Sequence, residues 1–251
     1  MRYLVIKVGG SLVSPRDTIV DEKFVREFVN NIKSIYSNPE NSELKMVIVV
    51  GGGNISRNYR DISVSLGEMD DIDQHRIGIV ATWMNAELVR ILLDSEGLVY
   101  KRTLGIGVFA NSLEIGIQGI TEDFNSWKNG DKPILVSGGF VNGASTDLNA
   151  FVLASKLEID KVFKMSNIDY VYSEDPDDNP NAKPFPDLTW DKYLGMFEEN
   201  GHKPGQNVPV DLLGARLARD NKISLCLMDG RDPSVIKNIV EEKKFDCTNI
   251  H

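Results

Sequence analysis

Five short runs in this chain are apolar throughout and rich in β-branched residues: Tyr3 to Val8, Met46 to Val50, Pro133 to Val136, Lys161 to Met165 and Ile223 to Met228. A strand with one solvated face alternates in polarity, so a run that does not alternate is buried on both faces, as in a parallel sheet. Between the runs, Asp21 to Ile35, Arg76 to Asp94, Asp147 to Leu157, Val210 to Asp220 and Pro233 to Glu241 set apolar residues three and four apart. That is the spacing of helices that cover such a sheet. The alternation predicts an α/β fold, a three-layer αβα sandwich around a mostly parallel sheet. Val99 to Ile120, dotted with Gly105, Gly107, Gly116 and Gly119, reads as short antiparallel strands or a hairpin. Ser37 to Glu43 and Glu174 to Pro186 read as loops, the second long enough to carry a function.

The 251 residues suffice for a core that needs no disulfide or metal staple. Twenty-eight Lys and Arg against 37 Asp and Glu leave a formal net charge of −9, which argues against general affinity for nucleic acid or an anionic membrane. Anion sites must therefore be built locally. Cys226 and Cys247 make neither a disulfide framework nor the paired spacing of a zinc site, and a reducing cytoplasm fits them. The apolar run Tyr3 to Ile6 ends at Lys7, far short of a signal-peptide core or a membrane span, and no later segment is long enough.

Four segments at strand ends carry candidate chemistry. In Lys7-Val8-Gly9-Gly10-Ser11 a buried strand runs into two glycines and a hydroxyl, where backbone N–H groups converge on an anion and Lys7 adds a fixed charge. An ordinary strand-to-helix turn explains it equally well alone, and no Gly-Lys-Ser/Thr follows to make a Walker loop. Gly51-Gly52-Gly53-Asn54-Ile55-Ser56-Arg57 again follows a strand and precedes a presumed helix, whose N-terminus favours negative charge and whose Arg57 reaches it with a two-pronged contact. A lone glycine triplet is more often a tight turn. Two such loops at the carboxyl ends of two parallel strands, one with a Lys and one with an Arg, point to the edge where open α/β sheets bind ligands.

The third segment, Gly138 to Asp147, ends in Ser145-Thr146-Asp147 ahead of a helix. Any of the three would cap it, but a cap needs neither the length nor the glycines, and the functional reading is a carboxylate that orients lysines or a metal beside transferring phosphates. The fourth, Lys164 to Pro176, leaves a strand for an acidic loop, with Tyr172 offering a flat face to a base and Asp175 held extended before Pro176. Alone it reads as a surface turn. His202 reads as a surface loop histidine, and Asp70, Asp71 and Asp73 as a solvated acidic turn in preference to a metal site.

Taken together and in order, these segments resemble the amino acid kinase superfamily, and within it the uridylate kinases, from Lys7 to Thr248. The resemblance rests on Gly-Gly-Gly-Asn-x-x-Arg, on Ile77 to Ala86, on Ser145-Thr146-Asp147, on Asp169 to Pro176, on Pro209 to Leu212 and on Ala218 to Asn221. Gly201 to Asp211 is closer to the archaeal branch. The resemblance implies a single kinase domain with an acceptor-phosphate lobe over about residues 1–160 and an ATP-binding lobe over about 161–251. It implies a catalytic pair in Lys7 and Asp147, with Gly9, Gly10 and Ser11 on the transferring phosphate. Gly52, Gly53 and Arg57 would hold the acceptor's α-phosphate, Asp73, His75, Ser145 and Thr146 the acceptor, and Ser166, Tyr172 and Asp175 ATP.

The implied reaction is UMP + ATP to UDP + ADP with Mg²⁺ in pyrimidine synthesis, by a homo-oligomer, a hexamer in the family. Two departures stand out. His75 occupies the position where such kinases carry an acidic residue for the acceptor ribose, with Asp73 two residues earlier, and Tyr170 stands where the family has glycine. The rival expectations are a kinase of this fold for another phosphate or carboxylate acceptor, and a binding protein that has lost turnover.

Overall fold

In the computed structural model of the protein, residues 1–67, 70–176, 178–198 and 208–251 are described. The parallel core is β1 (Arg2–Val8), β2 (Leu44–Val50), β3 (Ile134–Ser137), β4 (Lys161–Ser166) and β8 (Ser224–Asp229), which cover the five apolar runs to within two residues. Short strands β5 (Val171–Tyr172), β6 (Pro184–Phe185), β7 (Asp187–Leu188) and β9 (Thr248–Ile250) were not foreseen. The main sheet has the order β3-β2-β1-β4-β8-β9-β7, parallel from β3 to β8, with β9 antiparallel to β8. The chain lays β2 and β3 on one side of β1, then β4 and β8 on the other. The order therefore reverses between β1 and β4, and a ligand crevice forms beyond the carboxyl ends of strands at such a reversal.

Strand periodicity sorts the side chains into two cores. Leu4, Ile6 and Val8, with Met46, Ile48 and Val50, meet α2 (Glu22–Tyr36), α4 (Asp71–Asp94) and α9 (Val235–Val240) on one face. Val5, Val47 and Val49 meet α5 (Leu113–Lys128), α6 (Thr146–Leu157), α7 (Trp190–Glu198) and α8 (Leu212–Asp220) on the other. This is the three-layer sandwich that the sequence predicts. Helix α2 shows how the periodicity becomes packing. The Asp21 carboxylate caps it by accepting from the Phe24 N–H at 2.9 Å, and Phe24, Val25, Phe28, Val29, Ile32 and Ile35 then form its buried stripe.

Two readings are corrected. Val99 to Ile120 holds no hairpin. Its first half runs along the free edge of β3 through single parallel bridges, Val99 with Ile134, Leu104 with Ser137 and Ala110 with Val141. Its backbone hydrogen bonds go to that edge, as in Tyr100 N–H to Ile134 O at 2.8 Å and Leu104 N–H to Val136 O at 2.8 Å. The second half is α5, in which Gly116 marks close packing and not a turn: a Cβ there would lie 2.6 Å from Val141 Cγ2. The loop Glu174 to Pro186 is also interrupted, because β6 pairs back on β5 as an antiparallel ribbon. A single 3₁₀ turn, Pro39–Asn41, sits within the 37–43 loop.

The helix expected from Arg76 begins at Asp71, and the acidic cluster is its start. Asp70 caps it by accepting from the Asp73 N–H at 2.8 Å, while Asp71 and Asp73 occupy the first turn, where the helix dipole favours anions. Two further helices complete the fold near the crevice, the short α1 (Gly10–Val13) and α3 (Gly53–Leu66), the latter packed on α4. Among the described residues no helix is long and apolar enough to cross a membrane. His202 lies outside the described residues.

Candidate active site

The first two glycine loops meet backbone to backbone at the ends of β1 and β2. A Cβ on Gly10 would stand 2.1 Å from Gly53 N, and one on Gly53 would stand 2.2 Å from Gly10 O, so no side chain fits at either position. Gly53 also has φ +63°, which glycine alone adopts without strain. Ser14 ties the loops together: its carbonyl accepts from Asn54 N–H at 2.8 Å and its hydroxyl from Ile55 N–H at 3.2 Å. From α4, the Asn85 amide donates to the carbonyls of Gly51 at 2.9 Å and Gly52 at 3.1 Å. Across a planar trans peptide the next N–H points the opposite way, so Asn85 turns the Gly52 and Gly53 N–H groups away from α4. Arg57, in the first turns of α3, places Nη2 3.5 Å from the Ser11 hydroxyl on α1. It is half-buried, and burial together with the charges of Arg16 and Arg60 lowers its pKa. The two loops and their cation therefore form one local excess of positive charge on a net-acidic protein.

At the next strand ends, alternation puts Lys7 on the α6 face of the sheet, and Lys164 is its register partner on β4. Their ammonium groups meet the Asp147 carboxylate, Lys7 Nζ 3.2 Å from Oδ1 and Lys164 Nζ 2.6 Å from Oδ2. All three residues are buried. Burial by itself would raise the Asp147 carboxyl, but the charges of Lys164 and Lys7 outweigh it and hold the group well below the carboxylate range. Burial brings Lys164 down to about 8, against the pull of Asp147 and with the repulsion of Lys7.

Asp147 is not the cap of α6. Ser145 is, its hydroxyl accepting from Asp147 N–H at 3.0 Å and donating to Asp211 Oδ2 at 3.1 Å. Asp211 in turn caps α8 through the N–H groups of Leu213 and Gly214, at 3.1 and 3.0 Å. Burial and the nearby Asp147 charge raise its pKa. The segment before it is fixed as well. Pro209 O accepts from Lys164 Nζ at 2.6 Å, and the Tyr193 hydroxyl both donates to Val210 O and accepts from Val210 N–H at 2.6 Å.

The remaining candidates flank this centre. Thr146 Oγ1 faces the second loop, 3.5 Å from where a Cβ on Gly51 would stand. His75 faces the third, its Nε2 3.8 Å from the corresponding point on Gly143, while Asp73 is half-exposed and paired with Arg76 at 3.3 Å. On the far side, Gly9 N–H donates to Met165 O at 2.8 Å, and Ser166 O accepts from Gly230 N–H at 2.7 Å, joining the ends of β1, β4 and β8. Tyr172 donates its hydroxyl to Asp169 at 3.1 Å and stands edge-on to Tyr170, with centroids 6.4 Å apart. The Asp175 carbonyl opens the following turn by accepting from Asn179 N–H at 2.8 Å.

The profile of the amino acid kinase family matches residues 2–229. This chain belongs to the amino acid kinase family. The uridylate kinase of Methanococcoides burtonii is 28% identical over 242 residues, 94% of this chain and 90% of that one. That of Pyrobaculum islandicum is 30% identical over 237 residues, 94% of each chain. The crystal structure of uridylate kinase from Archaeoglobus fulgidus matches with a TM-score of 0.71 at 25% identity over the whole of both chains. The UMP kinase of Bacillus anthracis, 20% identical, shares the fold at a TM-score of 0.73, covering all of this chain and 96% of that one. The resemblance read from the sequence, including its archaeal leaning, is thus borne out.

In this amino acid kinase three residues at the centre, Lys164, Asp211 and Asn85, lie in segments that the sequence singles out but have no role assigned there. The signal for Lys164 was present, since a lysine inside a strand buried on both faces needs an anionic partner. Asn85 gave no such signal, because its partners are carbonyls of the second loop that only the fold brings near, whereas Asp211 stands before a helix as a cap would, and only its bond from Ser145 depends on the fold. Among the described residues, no cluster of three or more His, Cys, Asp or Glu gathers as a metal cage.

Proposed function

We propose that this kinase transfers the γ-phosphoryl group of ATP to UMP, giving UDP and ADP. The observation that carries the reading is the Lys7–Asp147–Lys164 centre beside two glycine loops and Arg57, at the reversal of strand order. The relatives named as uridylate kinases supply the substrates. In the reading, the acceptor lies over the ends of β1, β2 and β3, within residues 1–160, and ATP over the ends of β4 and β8, within 161–251. Gly9, Gly10 and Ser11 hold the migrating phosphoryl group, Gly52, Gly53 and Arg57 the acceptor α-phosphate, and Ser166, Tyr172 and Asp175 the nucleotide donor.

Phosphoryl transfer needs little covalent work from the protein; it needs two phosphates in line and cancellation of charge as the phosphoryl group migrates. Lys7 and Lys164 supply two positive charges whose positions Asp147 fixes in advance, and a preorganised charge loses nothing to reorganisation when the reaction occurs. With its carboxylate shared between two ammonium groups, Asp147 orients lysines and does not serve as a base. Mg²⁺ fits as a companion of the ATP phosphates, where it neutralises their charge, since magnesium keeps waters and binds through few protein oxygens.

Self-association is part of the same reading. Tyr59, Ile62 and Leu66 recur three and four apart on α3, and Val80, Met84 and Ile91 four and seven apart on α4, and all are exposed. A second copy of the chain covering this face accounts for them, and size-exclusion chromatography coupled to light scattering measures it. A cytoplasmic place in pyrimidine nucleotide synthesis follows from the substrates proposed.

The test is a coupled ADP-release assay with MgATP and a panel of UMP, CMP, AMP, carbamate and acetylglutamate. Turnover is expected with UMP above the others. ADP release with a different member of the panel would favour the second reading, another acceptor on the same scaffold. One observation speaks for that reading: His75 faces the third loop, while Asp73 is held by Arg76.

A further inference from the structure

A groove of about 860 Å³ runs along the face of the sheet opposite the Lys7–Asp147–Lys164 centre. Leu4, Phe163, Cys226, Phe245 and Cys247 are among its lining residues. Cys226 belongs to the core beneath α2 and α9, and Cys247 packs on that same core, whereas Val5 and the residues in register with Lys7 face the other way. None of the residues given a part in the proposed reaction lines this groove.

In the antiparallel pairing of β8 with β9, Cys226 stands opposite Asn249. Cys247 precedes Asn249 by two residues, and side chains two apart along an extended chain share a face, which makes Cys247 the diagonal neighbour of Cys226. Each thiol is the largest influence on the other's ionisation, and both are free. They differ in access. Cys226 is 2% exposed, while Cys247 is half-buried at the wall of the groove.

We propose that Cys226 and Cys247 form a dithiol site that a small-molecule disulfide entering the groove oxidises to an intramolecular disulfide. The more accessible thiol reacts first. The Cys247 sulfur, having given its proton to solvent, attacks one sulfur of the small disulfide, and the other leaves as a thiolate that takes up a proton. The Cys226 sulfur then attacks Cys247 Sγ, loses its own proton, and displaces the second small thiol. Two protein thiols and one small disulfide become one protein disulfide and two small thiols, so atoms and electrons balance without a further oxidant.

The electrostatics agree with this order. The Cys226 thiol, followed by the charge of Lys161, lowers Cys247 against the effects of burial and Asp246, and the Cys247 thiol with burial pushes Cys226 up. The thiol that must attack first is thus the one more readily ionised. The bond would also have a mechanical consequence. Thr248, next to Cys247, accepts from Val171 N–H at 2.9 Å and donates to Phe185 O at 2.6 Å, so the tethered segment is the one that supports the β5–β6 ribbon.

The experiment treats the reduced full-length protein with millimolar glutathione disulfide under argon and quenches with iodoacetamide. The expected product has lost two hydrogens, carries no glutathione and takes up no alkyl group at either cysteine. Non-reducing digestion should yield a Cys226–Cys247 cross-linked peptide. Closing this loop should raise Tm by about 5–10 °C, reversed by reductant. Cys226→Ala, which leaves a residue fit for the core, should stop at a glutathione adduct on Cys247, and Cys247→Ser should not react. Wild-type protein that stays fully alkylatable, or that halts at the mixed disulfide, overturns the proposal, and that result stands even if the Cys226→Ala variant does not fold. None of these readouts depends on kinase activity, so the outcome is separable from the function proposed above.

Discussion

Lys7 and Lys164 are register partners on neighbouring parallel strands, and a single carboxylate, Asp147, lies 3.2 Å from the first ammonium and 2.6 Å from the second. Strands set side by side in register project equivalent side chains on the same face, about 4.8 Å apart. Two buried cations at that spacing repel, and the carboxylate from α6 lies between them and offsets the repulsion. The proposed kinase chemistry rests on this structural answer to like-charge repulsion.

Removal of either lysine should therefore reduce turnover more than binding. Lys7→Ala is expected to lower kcat by roughly 10²–10³ with a smaller change in nucleotide affinity, because charge at this point is needed most as the phosphoryl group migrates. Lys164→Ala should behave alike. Steady-state kinetics beside ATP titration calorimetry checks both, and normal turnover in Lys7→Ala would remove the first glycine loop from the phosphate site.

Lys164 also gives a pH signature. Its ammonium in the free protein is brought down to about 8 by burial, so raising the pH through 8 strips the charge from one side of the site. The rate constant kcat/KM for ATP should accordingly decline above about pH 8, and Lys164→Arg, which stays charged, should move that decline upward. A wild-type profile flat to pH 10 would show that Lys164 carries no charge the reaction needs.

Asp147→Asn tests both stability and activity. Since Ser145 caps α6, the cap survives the change. Two buried ammonium groups lose their counter-charge, however, and breaking a buried ion pair by removing one partner costs about 3–5 kcal/mol. The carboxyl of Asp147 is depressed in the folded state, so its contribution to stability is complete above the ordinary carboxylate range and fades as pH falls through the folded value. Urea melts at pH 7 should show the destabilisation, and the activity of the folded fraction should collapse. A variant of native stability and near-normal activity would leave Asp147 with neither role.

The sheet was legible because strands buried on both faces spell themselves out as unbroken apolar runs, and the helices because their stripes recur at the helical period. What failed was Val99 to Ile120. There Gly116 and its neighbours serve helix packing against Val141 and Val108, and a glycine chosen for closeness looks the same in sequence as one chosen for a turn. The ribbon of β5 and β6 was hidden for another reason: two-residue strands carry too few side chains to show a period. At the site, the loops and Asp147 were readable from residue type and order. The partnership of Lys7 with Lys164 was not, since register between residues 157 apart in sequence is a property of the fold alone.

Arg57 should act differently from the lysines. It lies beside Ser11 and the second glycine loop, where the reading puts a phosphate that does not react, so its contribution should be similar in the ground and transition states. Arg57→Ala is expected to raise KM for UMP while leaving KM for ATP nearly unchanged. A defect confined to ATP would reverse the assignment of the two ends of the site.

The acceptor itself turns on the first turns of α4. A ribose is held best by a carboxylate that accepts from both hydroxyls, whereas a neutral imidazole has one acceptor nitrogen. The structure sets His75 beside the third loop and leaves Asp73 half-exposed with Arg76. For Asp73 to reach the ribose it must release Arg76, and an ion pair this exposed costs only a few tenths of a kcal/mol to about 1 kcal/mol to break. The exchange is therefore inexpensive beside the hydrogen bonds it gains, and UMP is expected to bind with Asp73→Ala raising its KM at little cost in turnover. Discrimination against dUMP should be strong in the wild type and weak in that variant, because a buried partner left unpaired is what rejects a missing hydroxyl. Titration calorimetry with UMP, dUMP, CMP, AMP and inorganic phosphate decides the matter. Tight binding of another ligand with no detectable heat from UMP would sink the uridylate reading and leave the kinase fold untouched, and equal affinity for UMP and dUMP would pass the acceptor site from Asp73 to His75.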